Sequence, residues 1–170
     1  MKSKGNIVFL GMMGSGKTSV AALISKRLDL NFFDIDQCIE EETKMKISKI
    51  FSIKGENFFR KLEEKKTLDI LKKKNAVIAL GGGAFLNKKI REEVLNNHTS
   101  FWLNLNSTLI INRIKNNSKR PIAAKLTKTE LVNLIKKRSN IYSKAMYKVN
   151  CDDLTKNEVV NKVIKIYETD

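Results

Sequence analysis

Eight residues, Gly11-Met12-Met13-Gly14-Ser15-Gly16-Lys17-Thr18, restrict this chain more than any other feature. They fit the pattern G-x-x-x-x-G-K-[S/T] in full. They stand between Asn6–Leu10, a continuous run of β-formers, and Lys17–Leu28, where Val20, Leu23, Ile24 and Leu28 share one helical face. A strand that passes through glycines straight into a helix opens a β-α-β unit, and parallel strands require such crossover helices. The rest of the chain keeps the alternation. Phe32–Ile35, Ala76–Leu80, Ser100–Leu105 and Tyr147–Cys151 read as further strands. Gln37–Thr43, Ser48–Ile53, Glu56–Lys73, Lys88–Asn96, Ser107–Lys115, Thr127 to about Met146 and Asn157–Tyr167 read as helices. Ser107 and Thr127 are the expected N-caps, the second with Glu130 at the capping-box position. The spacing thus predicts an α/β, doubly wound sheet of about five parallel strands with helices on both faces, as one domain over residues 1–170. Residues 116–126 form the expected lid loop, and the helical segment of about 36–64 the expected substrate-binding region.

Composition narrows the setting. Apolar residues make up 42% of the 170, enough for a core and too many for a disordered chain. No apolar run reaches the length of a membrane span, and Ile7–Leu10 is too short for a signal-peptide core. A cytoplasmic monomer with no membrane partner is expected. Cys38 and Cys151 lie far apart without metal-ligand spacing and read as buried or free thiols. The net charge of +15 raises the question of nucleic acid. The lysines are dispersed, however, and the densest runs, Lys72–Lys74 and Lys136-Lys137-Arg138, fall at the end of or within helices. They are read as a solvated surface, with no nucleic-acid partner, whose field would favour an anionic small substrate. His98 and Trp102 read as structural.

Glycine is scarce, and seven of the eight glycines fall at Gly11, Gly14, Gly16, Gly55, Gly81, Gly82 and Gly83. Such clustering marks ligand loops. In the first cluster, consecutive backbone N–H groups turn toward phosphate oxygens, and the positive end of the following helix adds to them. Gly14, Ser15, Gly16, Lys17, Thr18 and Ser19 are the expected nucleotide-binding residues. Lys17 would reach the β- and γ-phosphates, and the Thr18 hydroxyl would ligate Mg2+. No Asn-Lys-x-Asp element for guanine follows, which favours ATP.

Asp34 and Asp36 flank Ile35 at the end of the second predicted strand, where alternation would put them on the same side. Two carboxylates there can hold Mg2+ and accept from an acceptor hydroxyl; equally, Asp36 suits an N-cap for the next helix. Arg60 precedes Glu63 and Glu64 by three and four residues. A surface ion pair and a guanidinium held ready for a substrate carboxylate are both open. Arg120, beside Pro121, would close over the γ-phosphate as a lid residue, or be a solvated loop charge. Arg138 lies on a helix among lysines.

In chain order these elements resemble the shikimate kinase family of P-loop kinases. The likeness is carried by Gly11–Thr18, Asp34-Ile35-Asp36, Gly55-Glu56-x-x-Phe59-Arg60-x-x-Glu63, Gly81-Gly82-Gly83, Arg113 with Arg120-Pro121, and Arg138 followed by Tyr142. The resemblance implies transfer of the ATP γ-phosphoryl group to the 3-hydroxyl of shikimate, with ATP and Mg2+ as cofactors. It implies that Arg60 and Arg138 bind the substrate carboxylate, that Asp36 takes or aligns the ring hydroxyl, and that Gly82 and Gly83 offer backbone N–H groups to the ring. It further implies Asp34 on the Mg2+ water shell beside Thr18, Arg120 on phosphate, Arg113 against adenine, and the loop 152–156 at the adenine edge. Rivals are a P-loop kinase for another small molecule, such as gluconate or a nucleoside monophosphate, a nucleic-acid-binding P-loop ATPase, and a non-catalytic regulator of the same fold, the last disfavoured because the matched motif positions retain their functional groups.

Overall fold

A computed structural model describes residues 5–116, 123 and 125–169. Five short strands, β1 (Ile7–Leu10), β2 (Asn31–Asp34), β3 (Ala76–Ala79), β4 (Thr99–Asn104) and β5 (Tyr147–Asn150), form one sheet in the order β2-β3-β1-β4-β5. Every pairing is parallel; Ile7 stands opposite Val77 on one side and Thr99 on the other. All four residues of β1 and of β3 are buried. Strands covered on both faces must be apolar throughout, which is why Ile-Val-Phe-Leu and Ala-Val-Ile-Ala are runs rather than alternations.

The connecting helices among the described residues are α1 (Lys17–Leu28), α2 (Ile35–Thr43), α3 (Ile47–Lys54), α4 (Glu56–Leu71), α5 (Lys88–Asn97), α6 (Ser107–Lys115), α7 (Lys128–Tyr142) and α8 (Lys156–Thr169), with a short 3-10 turn at Ala84–Leu86. α1 packs on β2, β3 and α8, while α5 packs on β4 and α4. Phe9, Phe101 and Tyr147 stack through the sheet with centroids 5.7 and 5.1 Å apart. Burial of a side chain such as Phe9 contributes about 2–3 kcal/mol. Among the described residues no helix is long and apolar enough to cross a membrane.

Element boundaries differ from the sequence reading where a cap overrides propensity. The Thr127–Glu130 capping box forms as expected, but Asn106 rather than Ser107 caps α6, accepting from the Thr108 amide. α7 ends at Tyr142, short of Met146. The largest change is at β2, which stops at Asp34: Ile35 already belongs to α2, and the Asp34 carboxylate accepts from the Gln37 amide as N-cap.

The order of the strands places the ligand rim. From β1 the chain crosses to β2 on one side of the sheet, and from β3 to β4 on the other. The loops leaving the adjacent strands β1 and β3 therefore diverge, and a crevice opens between them, as at other switch points of open parallel sheets.

The opposite rim is tied by side chains. Asn6 donates to the carbonyls of Leu71 and Lys73 and accepts from the Ala76 amide. Its own amide donates to His98 Nδ1 at 3.1 Å, so the neutral ring carries its hydrogen on Nε2. Burial holds the imidazole below its usual 6.5, with Glu93 opposing. The unfolded chain therefore binds this proton first. The contribution to stability is complete above the ordinary imidazole value and is lost as pH falls through the lowered one. The expected result is a fall in Tm between about pH 7.5 and about pH 5.5 that is smaller in His98→Gln. An identical pH dependence in the variant would assign the step to other groups.

Candidate active site

The loop Gly11–Gly16 reverses direction at the top of β1 and delivers Lys17 as the first residue of α1. Gly16, at the N-cap, has φ +93°, which an L side chain rarely adopts. The Ser15 amide donates to the Met12 carbonyl at 3.1 Å, tightening the turn. Lys17 is 8% exposed; its Nζ donates to the carbonyls of Gly11 and Met12 at 2.8 and 2.9 Å, so the ammonium is placed over its own loop. A cavity of about 180 Å3 is lined by Gly14, Gly16, Lys17, Thr18 and Ser19. Ser15 Oγ is buried without a hydrogen-bond partner among the described residues. Arg113 reaches across from α6, donating to the Gly14 carbonyl at 2.9 Å.

Asp34 and Asp36 do not share one side, contrary to the strand-alternation reading. Since β2 ends at Asp34 and α2 begins at Ile35, the two carboxylates diverge. Asp34 faces α1, where Thr18 Oγ1 donates to its Oδ2 at 2.5 Å. Asp36 faces the glycine triplet: a Cβ on Gly81 would lie 2.9 Å from Asp36 Oδ1. The N-cap role suggested for Asp36 is filled by Asp34.

That pair also answers whether a cation fits. With its proton given to Asp34, the Thr18 hydroxyl presents only lone pairs outward, and the adjacent carboxylate can bind coordinated water. Hard oxygen donors in such small number suit Mg2+, which takes most of its ligands from phosphates and water. Among the described residues no group of three His, Cys, Asp or Glu could hold a metal ion by itself.

The second half of the site is built on α4, α7 and the loop after β3. Arg60 Nη1 donates to Glu63 at 2.7 Å, and Glu56 lies 3.5 Å from Arg60 Nε. Phe59 and Phe51 lie beneath the guanidinium at 5.3 and 6.0 Å. The Glu63 side chain is 3% exposed, which removes the surface-pair reading. Burial raises the Glu63 carboxyl above its usual value, and the charge of Arg60, then of Arg138, pulls it back. The glycines leave room for these cations. At Gly83 a Cβ would sit 2.7 Å from Arg60 Cζ; at Gly82 it would sit 3.4 Å from Arg138 Nη1 and 3.3 Å from the Met13 amide. The triplet thus touches Arg60, Arg138, Asp36 and the phosphate loop together. Arg138 Nη1 is buried and has no hydrogen-bond partner among the described residues. A buried cationic donor without an acceptor is costly unless a ligand supplies one.

Of the residues expected at the site, Gly14, Ser15, Gly16, Lys17, Thr18, Ser19 and Arg113 gather at the first cavity, and Asp36, Arg60, Gly82, Gly83 and Arg138 beside it. Asp34 joins Thr18. Arg120 and Pro121, with most of the lid, lie outside the described residues. The sequence did not single out Lys162, which lines a cavity of about 420 Å3 with Asn150, Asp152, Asp153 and Leu154 beyond β5. Helical spacing alone offers no signal for it. Both cysteines are free; burial pushes Cys151 up to about 11 and raises Cys38.

A phosphate loop on a parallel sheet ordered in this way, with two guanidinium groups and a carboxylate at the neighbouring glycine triplet, defines a P-loop kinase acting on a small molecule. The family model for shikimate kinase matches residues 13–168. A shikimate kinase of Thermodesulfovibrio yellowstonii is 40% identical over 164 residues, covering 96% of this chain and 95% of that protein. A shikimate kinase from Acinetobacter baumannii in complex with shikimate superposes with a TM-score of 0.91 at 27% identity, covering 99% and 95% of the two chains. That from Aquifex aeolicus gives 0.86 at 32% identity over 96% of each. The chain belongs to the shikimate kinase family and is an ATP-dependent phosphotransferase.

Proposed function

We propose that this protein transfers the γ-phosphoryl group of ATP to the 3-hydroxyl of shikimate, giving shikimate 3-phosphate and ADP, as a cytoplasmic monomer. The observation that carries the reading is the buried, unpartnered Arg138 Nη1 beside Gly82, one glycine from the Arg60 guanidinium. Two guanidinia against one glycine loop suit a carboxylate, which accepts paired N–H donors. A neutral sugar has no group to satisfy both.

With the carboxylate held by Arg60 and Arg138, the ring lies against Gly82 and Gly83, where a side chain would collide with the cations. Its hydroxyl turns toward Asp36, which accepts the hydroxyl hydrogen and aligns the oxygen. Lys17 leaves the carbonyls of Gly11 and Met12 for the β- and γ-phosphates and follows the charge that moves with the transferred group. Mg2+ bound by Thr18 and, through water, by Asp34 would neutralise phosphate charge. Arg120 is assigned to the γ-phosphate from the sequence. Arg113, above Gly14, and the cavity beyond β5 are assigned to the adenine side.

The test is ADP release with ATP, Mg2+ and a panel of acceptors. Turnover is expected with shikimate, with a loss of about a hundredfold or more in kcat/KM for its methyl ester, which cannot pair with two guanidinia. Equal rates with the ester would refute the carboxylate clamp. Turnover only with a nucleoside monophosphate would refute the acceptor assignment.

A further inference from the structure

Tyr142 closes α7, one helical turn beyond Arg138, and is 1% exposed. Its ring tilts against Trp102 with centroids 6.0 Å apart. Its hydroxyl donates to the Gly82 carbonyl, and Met12 Sδ stands 3.8 Å away. One phenol hydrogen serves one strong acceptor, and the carbonyl oxygen is the better of the two. Burial pushes the phenol up to about 12, with the charge of Arg138 opposing, so the group stays a donor at any working pH. The steps derived above for phosphoryl transfer leave this hydroxyl without a part.

We propose that Tyr142 is a positioning residue for the phosphoryl acceptor, acting through the Gly82–Gly83 peptide and through Arg138. A peptide group is planar, with its N–H directed opposite to its C=O. Pinning the Gly82 oxygen therefore fixes the Gly83 N–H on the side away from Tyr142. Glycine has no side chain to hold that plane, and three in succession leave it free to rotate without an external tether. The same residue is buried in the last turn of α7, so its hydrogen bond ties the triplet to the turn that carries Arg138. The hydroxyl also stands near Met12 Sδ of the phosphate loop, but its hydrogen goes to the Gly82 carbonyl on the acceptor side. The effect is expected there and not on the nucleotide. The inference rests on the acceptor reading given above.

Tyr142→Phe keeps the ring against Trp102 and removes the donor. In the ADP-release assay its KM for shikimate is expected to rise about tenfold, the equivalent of one lost hydrogen bond. KM for ATP and kcat should stay within about twofold. A purely structural role would lower kcat or shift both KM values together, and either result overturns the proposal, as does an unchanged KM for shikimate. Wild-type protein in the same assay separates the two readings. Its failure to turn over shikimate overturns the acceptor assignment and this inference with it; turnover with no effect of the variant overturns the inference alone. Should the variant not fold, the amide resonance of Gly83 in 15N-labelled wild-type protein gives the answer. It is expected to shift on addition of shikimate, and its constancy at saturation overturns the proposal.

Discussion

Replacing Lys17 with Ala is expected to lower kcat by about a thousandfold, the scale found when a preorganised donor to developing charge is removed. The side chain is 8% exposed and its ammonium is held by two carbonyls of its own loop, from which it turns to the phosphates when nucleotide binds. That move is complete once nucleotide is bound, so the charge stays fixed during transfer, which is the condition under which it contributes most. The variant loses two hydrogen bonds inside the loop, about 1–2 kcal/mol of stability, and should still unfold cooperatively. Steady-state ADP release with a parallel melting curve checks both parts. A kcat within tenfold of wild type in a folded variant would remove Lys17 from the chemistry.

The second large effect is confined to one substrate. Arg60→Ala should raise KM for shikimate about a hundredfold, as for truncation of one partner in a desolvated ion pair, and leave KM for ATP within about twofold. The variant also strands Glu63, whose burial already raises its carboxyl and whose main opposing charge is Arg60. A carboxyl raised in the folded state contributes stability below its ordinary value, and that contribution drains away as pH rises through the raised one. Arg60→Ala should accordingly be less stable than wild type at about pH 7.5 and closer to it at about pH 5. Combining it with Glu63→Gln should restore Tm but not KM. Equal losses in affinity for shikimate and ATP would contradict the assigned role of Arg60.

Much of this was legible in the chain. The phosphate loop is local, since its glycines, Lys17 and Thr18 are consecutive and the conformation follows from their own backbone. The Thr127–Glu130 box is equally local, and it formed. The strand run Ala76–Leu80 overran by one residue, because Leu80 is buried like its neighbours although β3 stops at Ala79. The pair Asp34 and Asp36 departs from strand alternation for a related reason. Phe32, Phe33 and Ile35 all favour strand, but an Asp side chain accepting from the Gln37 amide ends the strand one residue earlier than propensity suggests. From Ile35 onward the chain follows helical rather than strand periodicity, so residues two apart no longer share a face. Glu63 shows what periodicity leaves open. Three residues after an Arg on a polar helix it has the pattern of a surface pair, and only the packing of α4 near the glycine loop reveals that it is buried. Lys162 and the cavity beyond β5 depend on how α8 returns to the sheet, which is a tertiary matter.

A triphosphate held at Lys17 and an acceptor clamped by Arg60 and Arg138 share one crevice, so the phosphoryl group should pass directly between them. The stereochemistry at phosphorus reports this. ATP made chiral at the γ-phosphorus with three oxygen isotopes is converted by the wild-type protein in the presence of shikimate, and the configuration of the product phosphate is read by 31P NMR. A single in-line displacement predicts inversion; retention would require a phosphorylated enzyme between two separate sites and would contradict the account.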